Sequence, residues 1–339
     1  MRTEGKKAGE IKVFFCTNTW GNFTERDIGL LRKEFRVQVY FYTGLKKLPL
    51  HLVNIFVGVR RNHISFCNFA DNHTLLTLLI SKLLRKKTLV IIGGYEVGRI
   101  DGLKYGLNRS LFFPAVVRFI LKHADHLLPV SDNLVQDAKD TIGSITNNIT
   151  VIPNGFDSHL YTAPTGDKKN EVLCVALCKD FTIYRLKGID QLIQTAAITS
   201  EIPYIIVGIH DELIKKIKLH SPSNVDFRSA LPQKELISLY QQAKVYCQLS
   251  LREGHPNALC EAMLCECVPV GADVPGIRQV IGDTGYLVNP SIPENIAKAI
   301  KQALKAQIGS QARQKIQENY SLHQREEAFK KIIMSSIQS

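Results

Sequence analysis

The chain reads as an α/β protein of two successive parallel-sheet domains. Its 339 residues are too many for one ordinary hydrophobic core and suit two. In both halves short apolar runs alternate with longer segments of helical periodicity, the pattern of parallel strands covered on both faces. The turn Ile152-Pro153-Asn154-Gly155 separates the two alternations. It divides the chain into a first domain at 1–152, a second at 153–315 and a closing helical segment at 316–339, expected to pack back toward the first domain.

In the first half, strands are expected at 11–16, 37–42, 53–57, 65–68 and 89–92, with helices at 24–32 and 73–84. The second half gives strands at 172–177, 204–208, 225–227, 245–249 and 268–271, and helices at 188–200, 233–243 and 257–265. From 295 to 337 the pattern is helical.

Composition narrows the function classes. An apolar fraction of 45% and an aromatic fraction of 8% are those of a folded globular protein. Residues 1–150 contain 22 basic and 12 acidic side chains, a net of +10, so the first half holds most of the chain's +12. Such a field draws phosphates, anionic lipid or nucleic acid. Nucleic-acid binding or a scaffold role remains an alternative of another class, but no helix-turn-helix, zinc pattern or interleaving of aromatic and basic residues supports it, and no nucleic-acid partner is expected. The eight cysteines lie mostly in apolar runs without zinc-ligand spacing and read as reduced and structural, consistent with a cytoplasmic protein.

No secretory leader is expected, because the apolar run at 11–16 has only strand length, and the stretch 111–121 is interrupted by Pro114 and Arg118. A membrane would be met at its inner surface, reversibly. The segment 73–87, with its leucines and Arg85-Lys86-Lys87, is the element that could lie against anionic lipid, although the same leucines suit packing beneath a sheet.

The common nucleotide fingerprints, G-x-G-x-x-G and G-x-x-x-x-G-K-[ST], are absent. After the first strand of the second half comes a basic loop, with Lys179 followed by Arg185 and then Lys187-Gly188, which could neutralise a diphosphate by charge. The informative segment runs from Ser250 through Glu253-Gly254-His255-Pro256-Asn257-Ala258-Leu259 to Glu261. It follows a strand end, where open α/β sheets place their ligands, and Pro256 and Asn257 suit a helix start. N–H groups at Gly254, His255 and the first helical turn would face phosphate or sugar oxygens. Acceptor-only carboxylates at Glu253 and Glu261 suit the paired hydroxyls of a ribose or hexose.

The order Ile152-Pro153-Asn154-Gly155, then Lys187-Gly188, then Glu253 with seven residues before Glu261, then Pro269-Val270-Gly271, resembles the family 4 retaining glycosyltransferases, known as glycosyl transferases group 1. The resemblance implies the GT-B fold: two Rossmann-like domains facing each other across a cleft, acceptor in the first and nucleotide sugar in the second. It implies that Glu261 binds ribose hydroxyls and that Glu253 faces the donor sugar. Gly254 and His255 would give backbone contacts, and Lys179 and Lys187, with Arg185 as a substitute, would hold the diphosphate. The stretch from Phe227 to Pro232 resembles the loop beside the nucleobase.

Many relatives have a histidine where this chain has Gly93; Glu96 is the first candidate to replace it, and His73 the second. The implied reaction is hexosyl transfer from a UDP-sugar or GDP-sugar to a glycan or lipid-linked saccharide in bacterial envelope or exopolysaccharide assembly. No cofactor or metal is expected, since Asp-x-Asp is missing. A nucleotide-sugar hydrolase or epimerase of the same fold is the alternative enzyme.

Overall fold

The computed structural model of the chain describes residues 8–100, 102, 103, 105–143 and 148–338. It separates into two compact units, Met1–Asn154 with Leu322–Ser339, and Gly155–Ser321. The division falls after Asn154, and the closing segment is shared: helix Gly309–Asn319 belongs to the second unit and helix Leu322–Gln338 to the first.

The first unit is a parallel sheet of β1 (Lys12–Thr17), β2 (Arg36–Phe41), β3 (Ile64–Asn68), β4 (Thr88–Ile92), β5 (His126–Pro129) and β6 (Asn148–Ile149), in the order β2-β1-β3-β4-β5-β6. β3 and β4 are buried along their whole length, which is why they lack the outward polar alternation of a half-exposed strand. β5 and the short β6 were not anticipated as separate strands.

One expectation is overturned. The segment 53–57 is not a strand but part of the helix Leu48–Arg61. Its β-branched residues alternate, but His51, Ile55, Gly58 and Val59 form a buried stripe at helical spacing. Gly58 lets that helix approach the sheet closely, since a Cβ there would lie 2.1 Å from the Phe14 ring. The C-terminal carbonyls of Val59 and Arg60 accept from Lys86 Nζ at 2.7 Å each, so this lysine of the basic cluster caps a helix.

Helix Leu322–Gln338 is fixed by a buried ion pair. Arg325 donates from Nε and Nη2 to the two carboxylate oxygens of Asp27, at 2.7 Å each, and from Nη1 to the carbonyls of Ile152 and Pro153. Such a bidentate pair, with Nη1 also donating to two main-chain carbonyls, is the arrangement a dry interior tolerates.

The second unit is also wholly parallel: β7 (Lys169–Cys178), β8 (Tyr204–Ile209), β9 (Val225–Arg228), β10 (Ala243–Gln248), β11 (Val268–Ala272) and β12 (Tyr286–Val288) lie in the order β12-β11-β10-β7-β8-β9. The chain runs outward from β7 through β8 to β9, then returns to β10 on the other side and runs outward to β12. The β7/β10 pair is therefore the switch point at whose carboxyl ends such sheets bind ligands. All eight cysteines are free and buried.

Candidate active site in the second unit

Two loops leave the switch point. After β7 the chain passes Lys179 and enters helix Phe181–Leu186, capped by Asp180 Oδ1 accepting from the Ile183 N–H at 2.9 Å. Lys187 ends this helix, and Gly188 turns the chain with φ 66° into helix Ile189–Ile198. A Cβ on Gly188 would lie 2.3 Å from the Leu249 carbonyl oxygen, so glycine is required both by φ and by space. After β10, Leu251 N–H donates to the Leu186 carbonyl at 2.8 Å and ties the two loops together.

That tie brings Lys187 and Glu253 into contact. Lys187 Nζ donates to Glu253 Oε1 at 2.6 Å, with side chains 26% and 15% exposed. The same oxygen accepts from Gln248 Nε2 at 3.2 Å, and Gln248 also donates to Ser250 Oγ at 2.8 Å. Tyr246 in turn donates to Gln248 Oε1 at 3.1 Å. The loop at Glu253 and Gly254 packs on Gly276, where a Cβ would lie 2.3 Å from the Glu253 carbonyl oxygen.

Glu261 lies on helix Asn257–Leu264, whose N-cap residue Pro256 makes no side-chain cap. It is 8% exposed and accepts from Tyr240 Oη at 3.3 Å. The two glutamates converge on one neighbour. Burial, first, raises the Tyr246 hydroxyl well above its ordinary pKa, and Glu261 and Glu253 both add to the rise. The Tyr240 hydroxyl is likewise pushed up, by burial and then by Glu261.

The other expected residues divide. Lys179 and Arg185 are exposed beside the same loop. Gly254, His255, Pro256 and Leu259 are buried, and Asn257 and Ala258 half-buried. The His255 ring turns into the unit, stacked on Phe156 at 5.8 Å and edge-on to Tyr320 at 4.7 Å, which leaves the main chain as the part of His255 that can meet a ligand. Phe227 sits within β9, the edge strand beyond β8, its side chain half-buried against the core.

Glu96, in the first unit, is buried and accepts from the N–H groups of Gly93 at 2.9 Å and Gly94 at 3.0 Å. Burial raises its carboxyl pKa, and these N–H bonds oppose the rise. Its oxygens hold the loop after β4 beside a cavity of about 250 Å3 that Asn18, Phe69, Asp71 and Tyr95 also line. Gly93 has no room for a side chain, because a Cβ would lie 2.2 Å from Phe69 Cε1. His73 is not at a surface but fully buried, with Nε2 2.7 Å from the Asn68 carbonyl oxygen.

Tyr240, Tyr246, Gln248 and Ser250 were not anticipated. Gln248, a buried polar residue directly after the buried run Val245-Tyr246-Cys247, was the available signal, because a polar group there needs partners.

Residues 167–322 match the family model described as glycosyl transferases group 1. The chain is 22% identical over 284 residues to N-acetyl-alpha-D-glucosaminyl L-malate synthase of Bacillus anthracis, covering 78% of this chain and 72% of that protein. It is 22% identical over 212 residues to MMP alpha-(1->4)-mannosyltransferase of Mycolicibacterium hassiacum, covering 58% and 50%. Among solved structures, Anabaena HepE in complex with UDP-glucose is similar with TM-score 0.78 at 18% identity over 96% of this chain and 100% of that one. Sucrose-phosphate synthase from Thermosynechococcus elongatus gives TM-score 0.76 at 15% identity over 96% and 99%. In sequence the second unit matches the group 1 glycosyl transferases, and in fold nearly the whole chain matches GT-B structures; the chain has the GT-B fold, and the enzyme class these matches support is that of the hexosyltransferases.

Proposed function

We propose that the chain moves a hexose, with retention at the anomeric carbon, from a UDP-sugar or GDP-sugar to a glycan or lipid-linked saccharide in envelope or exopolysaccharide assembly. The observation that carries this reading is the Lys187–Glu253 ion pair at the switch point, with Glu261 on the helix that follows the same loop. UDP-glucose in the similar HepE structure supports the donor class.

In this reading Glu261 accepts hydrogen bonds from the ribose hydroxyls, while Glu253 meets the sugar. An incoming diphosphate competes with Glu253 for the Lys187 ammonium, and exposed Lys179 or Arg185 adds a second positive charge. The bond from the anomeric carbon to the diphosphate oxygen breaks with its electron pair going to the diphosphate. The acceptor hydroxyl oxygen then bonds to that carbon and loses its proton to a diphosphate oxygen. Lysine and the main-chain N–H groups of Gly254, His255 and the first turn of helix Asn257–Leu264 stabilise the leaving group electrostatically, so no metal is invoked. Phe227 and its strand offer a flank for the base, and Glu96 shapes the acceptor side.

A thermal-shift screen against UDP, GDP, ADP and their sugars tests the reading, since a ligand at 100 times its Kd stabilises the folded state by about 2.7 kcal/mol. One nucleotide is expected to raise Tm; no response to any of them would end the proposal. NMR of the products with and without an acceptor glycan then separates transfer from hydrolysis or epimerisation.

A further inference from the structure

Helix Leu48–Arg61 is apolar on both sides. Its buried stripe packs on the first unit's sheet, yet the opposite face presents Leu50, Leu52, Val53 and Phe56, which are 55, 40, 61 and 37% exposed. Pro49, Leu52, Val53 and Phe56 follow the i, i+3, i+4, i+7 spacing of one helical face. A surface helix of a globular protein normally turns a polar face outward, and a helix apolar all round belongs in a nonpolar environment. Further large apolar side chains are exposed close by: Leu45 precedes the helix in the chain, and Leu79 and Leu83 lie on the contacting helix Asn72–Leu83.

Charge frames this surface with one sign. Lys46 and Lys47 stand before the helix, and Arg60 and Arg61 form its last turn. Between residues 36 and 95 the sequence contains nine basic side chains and a single acidic one, Asp71. No described helix is long and apolar enough to cross a bilayer.

We infer that this face of the first unit docks on an anionic lipid surface, with helix Leu48–Arg61 lying in the interface plane. Apolar side chains enter the acyl boundary while the flanking lysines and arginines meet lipid phosphates. A second copy of the chain fits the same face poorly, since a symmetric contact would set like charges against one another. The segment 73–87 contributes only its outer residues, because Leu78 is buried, Leu75, Leu76, Ile80 and Leu84 are half-buried, and Lys86 caps helix Leu48–Arg61. This inference is independent of the donor site.

The test is flotation of the full chain with vesicles of phosphatidylcholine alone and of phosphatidylcholine with phosphatidylglycerol. Binding is expected only to the second kind, and high salt is expected to release it. The Val53→Glu/Phe56→Glu variant should lose binding while keeping the wild-type Tm and nucleotide response, as both sites are exposed. Lys46→Gln/Lys47→Gln should weaken binding about 30-fold, at ~1 kcal/mol per charge. No binding to phosphatidylglycerol vesicles, equal binding to both kinds, or full binding by the Val53→Glu/Phe56→Glu variant would overturn the inference. A wild-type dimer that this variant dissolves would assign the face to a second copy and overturn it equally.

Discussion

Lys187 Nζ sits 2.6 Å from Glu253 Oε1, an ion pair joining the loop after β7 to the loop after β10. Each partner comes from a different strand of the switch point, so the pair exists only because the parallel crossover folds β7 beside β10. It is partly exposed, and screened pairs of this kind contribute at most about 1 kcal/mol to stability. In the proposed reading, the pair holds two charged groups ready for a ligand.

Lys187→Ala is accordingly expected to leave Tm nearly unchanged and to lower kcat/KM by roughly 100- to 1000-fold, the loss typical of one donor to a developing negative charge. Glu253→Gln should lower kcat while leaving donor KM closer to wild type, since the amide keeps a neutral acceptor but loses the charge that the proposed mechanism sets against the sugar. Steady-state kinetics on both variants decides the point; unchanged turnover in both would remove this pair from the chemistry.

Glu261 and Tyr240 give a different signature. Glu261→Ala removes the carboxylate assigned to the ribose and should raise donor KM about 10- to 100-fold, since a hydrogen bond to a charged group contributes ~1.5–3 kcal/mol. Tyr240→Phe deletes the 3.3 Å bond that orients Glu261 and should raise KM in the same direction by less. Isothermal titration with the nucleotide alone measures both without reference to turnover.

The candidate-site positions that sequence alone located were those set by local order. Glu253 and Glu261 share one strand, loop and helix, and their spacing alone places them on either side of a helix start. Lys187 announces itself through Gly188, because only glycine fits both φ 66° and the contact with Leu249. Tyr240 and Tyr246 could not be read, since their partners Glu261 and Gln248 matter only once β10 and helix Asn257–Leu264 are packed together. At 53–57 the alternation misled because the outward face of a helix remained apolar, so no polar residues marked the helical period.

His73 makes stability depend on pH. Burial lowers its pKa from 6.5 to about 4, against smaller upward contributions from the Asn68 carbonyl and Asp71. Between these values the unfolded chain binds a proton that the folded chain refuses, so stability falls as pH falls from 6.5 toward 4 and is fully present above 6.5. The whole step amounts to about 3 kcal/mol. Glu96 acts oppositely, because burial raises its carboxyl pKa and a protonated carboxyl then favours the fold as pH falls. Urea denaturation of wild type and His73→Gln across this range isolates the histidine: the variant should show a flatter loss of stability toward acid, and parallel curves would contradict the assignment.

Gly93 explains why no imidazole occupies the end of β4. Phe69 adopts φ 67°, a left-handed conformation unusual for an aromatic residue, and its ring fills the space a side chain at 93 would need. Gly93→His must therefore displace that ring, and overpacking of this kind costs about 1–3 kcal/mol. The single variant should melt several degrees below wild type, whereas Gly93→His/Phe69→Ala opens the space and should regain part of the loss. Because the two residues touch, their effects should couple instead of adding. Additive losses in the double variant would show that the ring does not set the constraint, and that the missing histidine has some other cause along the loop held by Glu96.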